Sequence, residues 1–242
     1  PSIPITYFLL FLSTILLVAI STYLISSYLF KNKGIAVFNS FIILAGATFS
    51  LGGNLMVHGY LLSFGLSFSI ALLGFYFLLK RRLFLYSLIM GLATLIHFLW
   101  GHLIFTILFF ASFFTSITKN CSVKDHAKAF LIFLLFSAAL SPIIFWQNHL
   151  DINLSGEKIA EILGHIRAPH HYMPFEWGIM KYIEFILFFL IFIFVFKKVR
   201  IETFNKNLIK IAIGLIFIGF LIGIIFVEIF PIGIIIKMHL FR

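Results

Sequence analysis

Cysteine is all but missing from this 242-residue chain. Cys121 stands alone, which excludes an intrachain disulfide and any thiolate-based metal site. Acidic residues are nearly as scarce, with eight Asp and Glu against 18 Lys and Arg. Each carboxylate is therefore worth weighing singly. Charged residues make up only 11% of the chain, while 62% is hydrophobic and 34 residues are Phe. A soluble domain of this size has no place to hide so much apolar surface. Also missing are a phosphate-cradling Gly-rich loop, a Ser-His-Asp order and an HExxH zinc motif. Neither a solenoid repeat nor a low-complexity linker is visible.

What remains is a set of apolar runs, several near 20 residues, as expected of helices crossing a bilayer. The predicted fold class is all-α: a polytopic transmembrane helical bundle of about eight spans, near residues 5–29, 35–52, 59–79, 83–99, 102–118, 128–147, 177–196 and 208–230. The stretch from Leu83 to Ile117 carries no charge. As one helix it would be about 52 Å long, too long for a hydrocarbon core of about 30 Å. Two spans turning at Trp100-Gly101-His102 fit better. Charge placement supports that division. Lys31 and Lys33, then Lys80, Arg81 and Arg82, then Lys119, Lys124 and Lys128, then Lys197, Lys198, Arg200, Lys206 and Lys210 would all share one side, 13 basic residues of the 18. The bias of Lys and Arg toward the cytoplasm assigns that side and accounts for the net charge of +10 without a nucleic-acid partner. Residues 1–147 then form the first six spans, 148–176 an extracytoplasmic loop, and 177–242 the last two spans and the start of a further segment. Pro1 opens inside an apolar run, which suggests a fragment of a longer protein.

The extracytoplasmic loop carries the densest polar cluster. Ser155 to Gly164 reads as a short helix with Ser155 as its N-cap, Glu157 in its first turn and Gly164 at its end. It leads into His165-Ile166-Arg167-Ala168-Pro169-His170-His171-Tyr172-Met173-Pro174. Such a concentration beside a bilayer is costly unless it is solvated or used. Arg167 offers a permanently charged planar fork suited to phosphate or pyrophosphate; its structural alternative is an ion pair with Glu157 or Glu161. His165, His170 and His171 can donate to phosphate oxygens or relay protons. Tyr172 suits stacking on a sugar ring or anchoring at the interface, and Pro169 and Pro174 restrict the backbone between them. His58, His97, His102 and His149 fall on the same outer side with Asn54 and Trp100, although interfaces attract His and Trp in any case. Glu228 near Pro231 belongs to the same candidate pocket. Glu184 inside the seventh span has Lys181 as an i−3 partner. The candidate substrate-binding set is His165, Arg167, His170, His171, Tyr172, His58, His102 and Glu228. No metal site or cofactor is expected.

The Arg167-x-Pro169-His170-His171-Tyr172-x-Pro174 pattern resembles an outer-loop motif of bacterial polytopic proteins related to GT-C-type membrane glycosyltransferases. Glu228-Ile229-Phe230-Pro231 followed by Leu240-Phe241-Arg242 is similar to the ending of such a unit. The resemblance covers about a quarter of the chain. It implies an inner-membrane protein that transfers a sugar from a polyprenyl-phosphate carrier to a glycan acceptor outside the cytoplasm, with Arg167 on the carrier phosphate. The family's catalytic carboxylate lies in a first outer loop that this chain does not show, so that role is unassigned.

Other classes remain open. A glycan polymerase or ligase also uses basic residues in a large outer loop. A non-catalytic membrane subunit of a transport or secretion complex would have protein partners. A haem protein would use His97, with His58 as partner. A transporter fits less well, since the conspicuous polar residues lie at one face and not at the midplane.

Overall fold

The structure, a computed structural model, describes residues 3–45, 63–117, 123–140, 142, 155–167 and 173–232. Among them it is all-helical, 90% helix with no strand. Nine α-helices are present: α1 (Ile3–Phe30), α2 (Lys33–Ala45), α3 (Ser63–Leu79), α4 (Leu83–Ile96), α5 (Phe98–Ile117), α6 (Val123–Ala139), α7 (Gly156–Ile159), α8 (Ile179–Lys198) and α9 (Thr203–Gly223). Two of them run on as π-helix, α7 through Ala160–Arg167 and α9 through Ile224–Ile229, and a 3-10 turn spans Pro174–Glu176. Four stretches are long and apolar enough to cross a membrane: α1, α5, α8 and Thr203–Ile229. The helices α2, α3 and α4 are apolar but shorter.

The chain divides into two compact units. The first comprises residues 1–46, 56–149 and 200–212, the second 47–55, 150–199 and 213–242.

In the first unit small residues let helices approach closely, which is how helices gain packing energy when hydrocarbon surrounds them. On α1 and α2, Ser40 donates to the Ala19 carbonyl at 3.1 Å and Asn39 to Ser26 at 3.1 Å. On α3 and α4, Ser67 donates to the Ala93 carbonyl at 2.9 Å. Helix α4 is the hub, packed on α3, α5 and α6. It buries Tyr86, Ser87, Met90, Gly91, Ala93 and Thr94. The Tyr86 hydroxyl donates to the Phe105 carbonyl of α5 at 2.9 Å, so that its one polar atom is satisfied inside the packing. Phe105 stacks on Phe133 of α6 with ring centroids 3.5 Å apart. These pairings make α1 to α6 alternate in direction.

The alternation brings the basic turns of this unit to one end. Tyr28 near the end of α1 donates to the Leu79 carbonyl at the end of α3. Arg81 in the α3–α4 turn pairs with Glu202 and lies over the Phe204 ring at 4.4 Å, tying in the start of α9. A cleft beside α6 is shared by Arg81, Arg82, Asp125 and Lys128.

Two expectations are corrected. The break between α4 and α5 falls at His97, not at Trp100-Gly101-His102. His97 is extended (φ −146°, ψ 100°). Its ring Nδ1 accepts the Trp100 amide at 3.4 Å, as an N-cap does. Gly101 lies inside α5, where a Cβ would come within 2.4 Å of the Thr94 Cα. Its missing side chain serves close packing on α4 rather than a turn. His102 is likewise helical. Secondly, Gly164 does not terminate the loop helix, which continues as π-helix to Arg167. The predicted spans 35–52, 59–79 and 128–147 each run into residues outside the described set.

Candidate functional site

In the second unit, the Ser155 hydroxyl accepts the Lys158 amide at 3.3 Å and opens α7. The π-helical continuation then carries His165 to an exposed position. Its ring Nδ1 lies 2.6 Å from the Glu176 Oε1, with the two side chains 53% and 43% exposed. That distance marks a strong hydrogen bond, ionic when the imidazole is protonated. Glu176 closes the Pro174–Glu176 turn, where its amide donates to the Met173 carbonyl and the Trp177 amide to the Pro174 carbonyl.

The same turn is fastened from two further elements. Glu228, in the π segment after α9, accepts the Phe175 amide on Oε1 at 2.8 Å. Tyr182 of α8 donates to the Pro174 carbonyl at 2.6 Å. Beneath the turn, Met173, Trp177 and Val227 form a buried cluster joined by Ile159, Leu163, Tyr182, Phe220 and Ile224. The Trp177 ring lies 6.0 Å from Tyr182 and 6.3 Å from Phe220. Exposed charge thus sits over a small apolar base. Both residues aimed at the turn, His165 and Glu228, stand on π-helical turns. Such turns are rare and cluster at functional sites.

The arrangement offers a carboxylate-oriented imidazole whose other ring nitrogen is available to exchange a proton. A second carboxylate is anchored through the backbone of the residue that precedes Glu176.

Of the sequence-predicted site residues, the structure brings His165 and Glu228 to one turn. Arg167 ends the π segment and enters by its backbone alone. His58, His170, His171 and Tyr172 lie outside the described residues, as do Asn54 and His149. His102 belongs to the first unit, at the end opposite the basic turns. There its Nδ1 is 3.1 Å from the Phe98 carbonyl, and its ring packs on Phe98 and Phe133 at 4.1 and 5.0 Å. Glu176, Trp177 and Tyr182 were absent from the predicted set. The scarcity of carboxylates singles out Glu176, but its pairing with His165 across 11 residues has no local signature. Among the described residues no ion pair joins Lys181 to Glu184, and no group of three His, Cys, Asp or Glu is placed to hold a metal ion.

No protein-family model, no curated protein and no solved structure matches this chain.

Proposed function

We propose that the chain is a membrane glycosyltransferase-like protein that takes a polyprenyl-phosphate-linked sugar at the His165–Glu176–Glu228 turn of its second unit. The setting proposed is a polytopic bundle of about eight spans in a bacterial inner membrane, with the turn on the extracytoplasmic side. The observation that carries the reading is the 2.6 Å His165–Glu176 pair, held on a turn to which Glu228 and Tyr182 also reach.

In this reading Glu176 orients the His165 ring, and the free ring nitrogen takes a proton from the acceptor hydroxyl. The acceptor oxygen forms its bond to the anomeric carbon as the carbon–oxygen bond to phosphate breaks. The departing polyprenyl phosphate keeps that electron pair, and Arg167, assisted by His170 and His171, meets its charge.

The test is sugar transfer by the purified protein in lipid nanodiscs, supplied with polyprenyl-phosphate sugars and a glycan acceptor. His165→Gln and Glu176→Gln are each expected to lower the rate about a hundredfold, the lower range for a positioned acid–base group. Full activity in His165→Gln would remove the proposed base.

A second reading, a non-catalytic membrane subunit, draws on α8. This helix buries none of its 20 residues. Glu184 sits on its exposed surface, a costly place for a carboxylate facing lipid. A partner helix covering α8 would relieve that cost. Gentle extraction that yields a fixed stoichiometric partner favours the subunit; a monodisperse single chain with transfer activity favours the enzyme.

A further inference from the structure

At the basic end of the first unit, a cleft of about 690 Å³ runs between the start of α4 and the first turns of α6. That volume falls within the range of ordinary ligand sites. Its two ends differ in chemistry. Leu83, Phe84, Leu85, Leu131 and Ile132 line the apolar part, and Phe84 and Leu131 are exposed. Arg81, Arg82, Asp125 and Lys128 line the polar part. A smaller cavity of about 130 Å³ also touches Arg81, Leu83 and Asp125 and reaches the Ser112 and Ser116 hydroxyls and His126.

The charges in the polar part are not equivalent. Arg81 is neutralised by Glu202, whose other oxygen accepts the Asn205 amide group at 3.3 Å. Asp125 sits in the first turn of α6, where the helix end favours a carboxylate. Arg82 and Lys128 have no ion-pair partner among the described residues. Two uncompensated cations therefore border an apolar trough at the rim of a membrane bundle.

The Arg81 backbone fixes this rim. It adopts φ 59°, a left-handed conformation that glycine usually supplies at a helix end. The Arg81 amide donates to the Leu78 carbonyl at 2.8 Å and the Arg82 amide to the Phe77 carbonyl at 2.9 Å, the paired bonds of a Schellman cap. The cap turns the chain sharply and leaves Arg82 at the mouth of the trough.

We propose that this cleft binds an anionic glycerophospholipid. The headgroup phosphate lies between Arg82 and Lys128, and an acyl chain lies along Phe84, Leu85, Leu131 and Ile132. The chemistry selects a lipid over a free anion, because most of the lining is hydrocarbon. It selects an anionic headgroup over a zwitterionic one, because the two free cations have no other counter-charge. The site lies in a different unit from the proposed transfer site and does not depend on it.

Native mass spectrometry of the detergent-extracted full chain tests this, with dioleoyl phosphatidylglycerol and dioleoyl phosphatidylcholine titrated in competition. The wild type is expected to retain the glycerol lipid over the choline lipid on the order of tenfold, since basic residues near a membrane surface each contribute to anionic-lipid attraction. The double variant R82Q/K128Q is expected to bring the two within about twofold. Leu131→Trp, which fills the trough and leaves the cations, is expected to lower retention of both lipids; it carries the test should the charge variant fail to fold. Equal retention of the two lipids by the wild type, or an unchanged preference in R82Q/K128Q, overturns the proposal. Thermal stabilisation by inorganic phosphate equal to that given by the glycerol lipid also overturns it.

Discussion

Helix α4 in the first unit and helix α8 in the second are both apolar, yet they are held in opposite ways. Along α4 the buried positions are Tyr86, Ser87, Met90, Gly91, Ala93 and Thr94, mostly small residues that admit neighbours on three sides. Along α8 no residue is buried. Its Phe185, Phe189, Phe192 and Phe196 stack along one face, and Phe189 also meets Phe217 of α9 at 5.1 Å. Mean hydropathy does not separate the two cases. Side-chain size does: small residues bring backbones together, whereas a run of Phe, Ile and Leu presents bulk to hydrocarbon. The second unit concentrates its specific polar bonds at the Pro174–Trp177 turn.

Substitutions can break this contrast. Gly101→Leu should have the largest effect, about 3 kcal/mol or more, because any side chain there meets the Thr94 backbone. Loss of a monodisperse peak on extraction would show it; a stable, well-behaved variant would mean that α4 and α5 do not pack as described. Met90→Ala, at a fully buried position, should cost about 3 kcal/mol in a denaturant titration. Leu190→Ala on exposed α8 should cost less than about 0.5 kcal/mol. Similar costs for the two would indicate that α8 is covered in the working protein. Tyr86→Phe removes only the bond to the Phe105 carbonyl and should cost about 1 kcal/mol.

The smallest effects test the cap and the turn. Arg81→Gly relieves a left-handed residue but loses a half-exposed ion pair, two terms of about 1 kcal/mol or less that nearly cancel. Arg81→Ala keeps the backbone cost and loses the pair, so it should be the less stable of the two. The reverse order would refute the left-handed cap. Glu228→Ala should speed hydrogen exchange at the Phe175 amide and leave the α4 amides unchanged; unchanged exchange at Phe175 would dissolve the turn as a fastened unit.

Much of the helix placement is readable in the sequence, because backbone polar groups in hydrocarbon must be satisfied within a helix. Apolar runs therefore had few structures open to them. Lys31, Lys80, Arg81 and Arg82 also mark turns plainly. The His97 break was not legible, since Trp100-Gly101-His102 looks more like a turn than Ile96-His97-Phe98 does. Only the fold shows that Gly101 accommodates Thr94 and that His97 caps α5. Of the site, the loop segment and Glu228 stand out by polarity alone. The His165–Glu176 pair does not, because it is assembled by a π-helical path, and no sequence pattern announces an i→i+5 bond. The pairing expected for Lys181 and Glu184 followed helical spacing, but spacing permits a contact without enforcing it.

The π segment that holds Glu228 has a further consequence. Phe230 donates to the Ile225 carbonyl, five residues back, so this turn contains one residue more than an α-helix would use. Deleting a single residue such as Ile225 would let the helix regularise. Everything after the deletion would then rotate by about 100° relative to α9, and the Glu228 carboxylate would swing away from the Phe175 amide. The surplus residue works as a phase setting, and at this point length matters as much as side-chain identity.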